Sequence, residues 1–140
     1  MDVKHVMTPN PVTCTEQTPL RDVARLMAQN DCGQIPVIDA RGVPVGVVTD
    51  RDITVRIVAD GRDPASCTAG TCMSSPVTTM SVEGDLSEAC DLMESAQIRR
   101  LLLVDNEGRL AGILAQADIA LSGRDRKTAE VVRQVSEPLH

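Results

Sequence analysis

Residues 7–54 and 73–120 are two versions of one sequence, and this duplication limits the fold more than any other feature of the chain. Leu20, Leu26, Met27, Asp39, Gly42, Gly46, Asp52 and Ile53 recur 66 positions later as Leu86, Leu92, Met93, Asp105, Gly108, Gly112, Asp118 and Ile119. Pro11, Val12 and Thr13 recur as Pro76, Val77 and Thr78, so one residue is dropped and regained near the start. A unit of roughly 50 residues is marginal by itself. Two such units in 140 residues are therefore expected to bury against each other and leave a pseudo-symmetric pair of clefts.

Each copy opens with a β-rich run, at 12–15 and at 77–80. Thr18 and Pro19 have the chemistry of an N-cap and a first helical position, opening an amphipathic helix with Leu20, Val23, Ala24, Leu26 and Met27 on one face. Leu86, Ala89, Cys90, Leu92 and Met93 repeat that stripe. Two short strands follow, at 34–38 and 43–49, joined by Asp39, Ala40, Arg41 and Gly42, where glycine is free to take positive φ. The second copy places strands at 100–104 and 110–115 around Asp105, Asn106, Glu107 and Gly108. A further helix is expected at 50–58 and again at 116–121. The order strand, helix, strand, strand, helix, twice over, predicts an α+β fold of two pseudo-symmetric repeats packed through their sheets. A short helix at 68–73 mirrors 3–7, and Val131, Val132 and Val135 mark a last helix over 127–135. The expected partition is a first repeat at 1–61 carrying the N-terminal helix, a polar linker at 62–67, a second repeat at 68–123 and a helical tail at 124–140.

The chain has no Phe, Tyr or Trp, so its core must be built from aliphatic side chains, Met and Cys. No ring is available to stack on a base, which argues against binding single-stranded nucleic acid. A net charge of -6 argues against a duplex footprint, and Arg124, Arg126 and Lys127 read as a solvated helix end. No apolar run reaches the roughly 18 residues of a membrane span, and the first residues lack a signal-peptide pattern, so a cytoplasmic location is expected. Cys14, Cys32, Cys67, Cys72 and Cys90 show no paired CxxC spacing, and neither a disulfide framework nor a zinc ribbon is indicated.

The repeated unit, with Gln34-Ile35-Pro36-Val37-Ile38-Asp39 before the hairpin and Gly46-Val47-Val48-Thr49-Asp50-Arg51-Asp52-Ile53 closing it, resembles the cystathionine β-synthase (CBS) domain family. The likeness covers nearly the whole chain. It implies a tandem pair, or Bateman module, that binds an adenosyl nucleotide between its repeats, commonly dimerises and regulates another protein without being an enzyme. AMP, ADP or ATP is the implied ligand, ahead of S-adenosylmethionine or NAD, and no cofactor or metal is required.

From the residues themselves, Thr49 and Asp52 lie at a strand end and helix start, where a hydroxyl can anchor phosphate and a carboxylate can accept from ribose hydroxyls. Arg51 offers a counter-charge. The plain alternative is that Thr49 and Asp50 cap the helix. In the family such a pair faces walls from the other repeat, which here are Val77, Thr78 and Thr79 with Arg99, Arg100 and Leu101. The opposite cleft would join Asp118 to Val12, Thr13, Cys14, Gln34, Ile35 and Pro36. There the hydroxyl position is Ala115, and Gly33 and Gln34 replace the two arginines. Losing one hydrogen bond to a charged phosphate costs about 1.5–3 kcal/mol, on the order of ten- to a hundredfold in affinity. The second cleft is accordingly expected to hold phosphate poorly. Leu102 stands where the first copy has Pro36, which alters the expected adenine edge of the first cleft.

No Gly-rich phosphate loop or nucleophile constellation is present, and His5 and His140 sit at opposite ends of the sequence. Two readings compete with a nucleotide sensor. One is a structural dimer with both sites inactive. The other is a thiol or metal responder, through a Cys14 to Cys32 disulfide or zinc held by Cys67, Cys72 and His5.

Overall fold

The computed structural model describes residues 1–122. The tail expected at 127–135 and the basic cluster of Arg124, Arg126 and Lys127 lie outside the described residues. A 3-10 turn, Val3–His5, leads to β1 (Thr8–Pro9), α1 (Leu20–Asn30), β2 (Gln34–Ile38), β3 (Pro44–Thr49) and α2 (Asp50–Asp52), which runs on as a π-helical stretch, Ile53–Val58. After a 3-10 turn at Pro64–Ser66 come α3 (Ala69–Cys72), β4 (Thr79–Ser81), α4 (Leu86–Ala96), β5 (Arg100–Val104), β6 (Leu110–Ala115) and α5 (Gln116–Ser122). Both repeats thus show a helix, two strands and a helix in the expected α+β order, and only the second keeps the strand expected ahead of them. The described residues form two compact units: Val12–Val77 is one, and Met1–Pro11 joins residues 78–122 in the other.

In the continuous unit, α1 buries Leu20, Val23 and Met27 at helical spacing. Ala24 is exposed and Leu26 half-buried, so the inward stripe is narrower than the sequence suggests. Pro19, not Thr18, is the N-cap residue. Thr18 is occupied elsewhere: its hydroxyl accepts from the Thr15 N–H at 3.0 Å and its carbonyl from the Ala69 N–H at 2.8 Å. The strands β2 and β3 form an antiparallel hairpin running from Gln34 opposite Thr49 to Ile38 opposite Pro44. Its turn has Gly42 at φ 87°, and the Asp39 carboxylate accepts from the Val43 and Arg41 N–H groups at 3.0 and 2.9 Å. Ile35, Val37, Val48, Ile53 and Ile57 complete a core with Cys14, Cys67, Ala69 and Cys72.

The strand expected at 12–15 shrinks to one parallel bridge, Cys14 with Val37. The Thr15 to Thr18 turn begins one residue later and leaves no length for a ladder. In the other unit the corresponding run does form a strand, but at Thr79–Ser81 rather than 77–80, because its pairing with β5 begins at Thr79 opposite Leu102. That unit holds a sheet of order β1-β6-β5-β4, antiparallel except for β4 and β5. Beneath it pack Val3, Leu86, Ala89, Cys90, Met93, Leu101, Leu103, Leu114 and Ile119.

The units do not follow the repeat boundaries, because the segment leading each repeat packs on the other repeat. Val3 finds its apolar partners in the second repeat, with its N–H on the Gly84 carbonyl at 3.1 Å, while Ala69 donates to Thr18. Leu86 donates to the Met1 carbonyl and Leu20 to the Cys67 carbonyl, both at 2.9 Å. The N-terminal turn assigned by sequence to the first repeat therefore belongs to the folded unit of the second. Residues 67–73 complete the first.

Candidate functional site

At the junction of β3 and α2, Thr49 and Asp52 cap each other. The Thr49 N–H donates to Asp52 Oδ2 at 2.9 Å, and the Asp52 N–H donates to Thr49 Oγ1 at 3.0 Å. This reciprocal box arises because an extended Thr49 (φ -107°, ψ 162°) turns straight into the helix three residues before an acidic side chain. The box engages both residues without exhausting them. The Thr49 hydroxyl keeps its hydrogen to donate, and Asp52 Oδ1 keeps acceptor capacity. Asp52 is 13% exposed, and Oδ1 lies 3.8 Å from Nε of Arg56, one helical turn on. Asp50, the other acidic residue, turns instead to the Arg51 N–H at 2.8 Å. The Arg51 side chain is exposed.

In the second copy the same junction is half made. The Ala115 N–H donates to Asp118 Oδ2 at 2.9 Å, but Ala115 has no hydroxyl to return the bond. Asp118 is half-buried, and Ser122 occupies the position equivalent to Arg56.

Within each unit the hairpin brings a second candidate beside the junction: Gln34 stands opposite Thr49, and Arg100 opposite Ala115. Arg99 is half-buried and its carbonyl accepts from the Gln116 N–H at 2.9 Å, while Arg100 is exposed at the strand entrance. Thr78 and Thr79 are exposed, and Val77, Val12, Thr13 and Gln34 are half-buried. Leu101 and Ile35 are 0% exposed within the cores of their own units, so only their backbones are available to a ligand. Pro36 is buried. Cys14 also packs into the core, and burial pushes its thiol up to about 11. All five cysteines are free thiols, with Cys32 half-buried and the others buried. Among the described residues no three His, Cys, Asp or Glu side chains group to hold a metal ion, and no helix is long and apolar enough to cross a membrane.

Arg56 is the functional candidate that sequence reasoning missed. Its guanidinium donates to the Cys72 carbonyl at 3.0 Å and reaches the Met73 carbonyl and Ser74 Oγ, each at 3.4 Å. The signal was present in the Asp52 to Arg56 spacing of four.

The duplicated α+β unit places the chain among small tandem-repeat modules. The chain belongs to the CBS domain family, whose sequence pattern matches residues 3–59 and again 69–123. It is 36% identical to the CBS domain-containing protein YhcV of Bacillus subtilis over 91% of this chain and 89% of that protein. It is 34% identical to the uncharacterized protein MK0525 of Methanopyrus kandleri over 70% of this chain, and that match spans only 50% of the relative. The fold matches the crystal structure of Hypoxic Response Protein I with two coordinated zinc ions (TM-score 0.78, 29% identity, 86% of this chain and 98% of the other). It also matches the CBS domain protein PAE2072 from Pyrobaculum aerophilum complexed with AMP (TM-score 0.77, 26% identity, 96% of this chain and 99% of the other).

Proposed function

We propose that this chain is a non-catalytic regulatory module that binds an adenosyl nucleotide, AMP, ADP or ATP, and passes its occupancy to a dimer or partner protein in the cytoplasm. The observation that carries this reading is the Thr49 and Asp52 corner, which pairs a hydroxyl donor with a mostly buried carboxylate acceptor. These are the groups a phosphate oxygen and a ribose diol require. The family resemblance assigns Arg99, Arg100, Thr78 and Thr79 to the same ligand as positive charge and polar groups, with aliphatic side chains and backbone amides for the adenine. The Asp118 corner, without a hydroxyl at Ala115 to return the bond, is the weaker phosphate site and suits a ligand that needs no phosphate anchor. AMP in a related protein of the same fold supports the ligand class.

One observation favours a second reading, a structural dimer without ligand: the capping box already gives Thr49 and Asp52 a role in the fold. Calorimetry and thermal shift with AMP, ADP, ATP, NAD and S-adenosylmethionine separate the two. A nucleotide at 100 times its dissociation constant adds about 2.7 kcal/mol of stability. Asp52→Ala and Arg99→Ala are expected to abolish that gain. If no ligand shifts the wild type, the structural reading stands. If binding survives Asp52→Ala and disappears with Asp118→Ala, the nucleotide occupies the other corner.

A further inference from the structure

We propose that Arg56 is a positioning residue that couples the Asp52 carboxylate to the Cys72–Met73–Ser74 segment. Its guanidinium spans both: Nε faces Asp52 Oδ1 at 3.8 Å, one terminal nitrogen bonds the Cys72 carbonyl at 3.0 Å, and the other reaches Ser74 Oγ at 3.4 Å. A planar fork with five donors holds its partners in a fixed geometry, whereas the three rotatable donors of a lysine ammonium radiate from one compact nitrogen. The segment it grips is structurally consequential. Ser74 exchanges backbone hydrogen bonds with Val47 at 2.8 and 3.0 Å, two residues before Thr49 in β3. Beyond Ser74 the chain runs out of the continuous unit at Val77. A change in the charge or orientation of Asp52 is thereby transmitted to the stretch connecting one unit to the next. The second repeat lacks the device, since Ser122 stands at the equivalent position and its hydroxyl bonds the Ile119 carbonyl at 2.6 Å. Occupancy of the two corners is therefore read out unequally.

The link exists in the free protein, so it is tested there first, by native-state hydrogen exchange at the Ser74 and Val47 amides. Asp52→Asn and Arg56→Ala are each expected to speed exchange at Ser74 about fivefold. The double variant is expected to go no further than Arg56→Ala alone, and Arg56→Lys to fall between. Additive effects, or unchanged exchange in Arg56→Ala, would overturn the proposal. A second arm rests on the nucleotide reading and uses AMP as probe: saturation is expected to change Ser74 exchange in the wild type and to leave it unchanged in AMP-saturated Arg56→Ala. An equal response in both would also overturn it. If AMP fails to bind the wild type, the ligand reading falls, and the cycle in the free protein still decides the coupling.

Discussion

The thioether of Met73 rests on Gly46, where a Cβ would meet the sulfur and the two carbons before it. Met7 rests on Gly112 in the same manner. Each contact joins the start of one repeat to the hairpin of the other, and each glycine is a site of close approach rather than of unusual φ.

Gly46→Ala is expected to destabilise the protein by about 1–3 kcal/mol, because the whole Met73 side chain must move to admit one methyl group. Met73→Ala in the same chain should relieve the crowding. Calorimetric melting of both single variants and the double checks this: the double variant should lose less than the two losses added together.

The capping at the two strand-to-helix junctions differs by the bond from the Thr49 hydroxyl, and that difference is reversible. Thr49→Ala removes the returned bond to the Asp52 N–H and should cost about 1 kcal/mol, with Thr49→Ser retaining most of it. Ala115→Thr should gain part of the same amount by completing the box with Asp118. Thermal melting of the three variants is the measurement, and a loss of stability in Ala115→Thr would count against the symmetry of the junctions.

Backbone N–H groups of the hairpin turns hold Asp39 and Asp105 below the ordinary carboxylate value, Val43 contributing most to the first and Arg109 to the second. A carboxylate depressed on folding adds stability above its unfolded pKa and loses it as pH falls through the folded value. Asp39→Asn should therefore lower the melting temperature at pH 7, and the gap from wild type should close as pH drops below the ordinary value of 3.8. A gap that stays constant from pH 7 to pH 2 would show that the charge contributes nothing.

Burial sets the chemistry of Cys14. A thiol pushed up to about 11 is almost wholly protonated at pH 8, and the thiolate is the nucleophile. Iodoacetamide at pH 8 should modify half-buried Cys32 well before Cys14, and mild oxidation should leave no bridge between them. Mass spectrometry of the peptides reads both, and a Cys14 to Cys32 crosslink in the native protein would revive the thiol responder.

Pattern alone revealed the helices and the hairpins around Gly42 and Gly108, since each is written within about four consecutive residues or a clear period. It offered Thr49 and Asp50 as the helix cap, whereas the box closes between Thr49 and Asp52. What the sequence concealed depends on distant partners. The Thr18 hydroxyl turned back to Thr15 while Ala69 claimed its carbonyl, so a good N-cap residue did not cap. Leu101 and Ile35, adjacent to polar candidates, face their own cores because strand side chains alternate. The reach of Arg56 to Cys72, 16 residues away, follows only from the packing of α3 on the π-helical stretch.

The exchange of leading segments means that heredity and folding count this chain in different frames. Duplication copied a block that begins near Met7, yet the block that folds continuously begins at Val12 and ends at Val77. A fragment cut at the linker would carry Val3 without Leu86, and Leu20 without Cys67 or Ala69. Neither inherited half is a finished object.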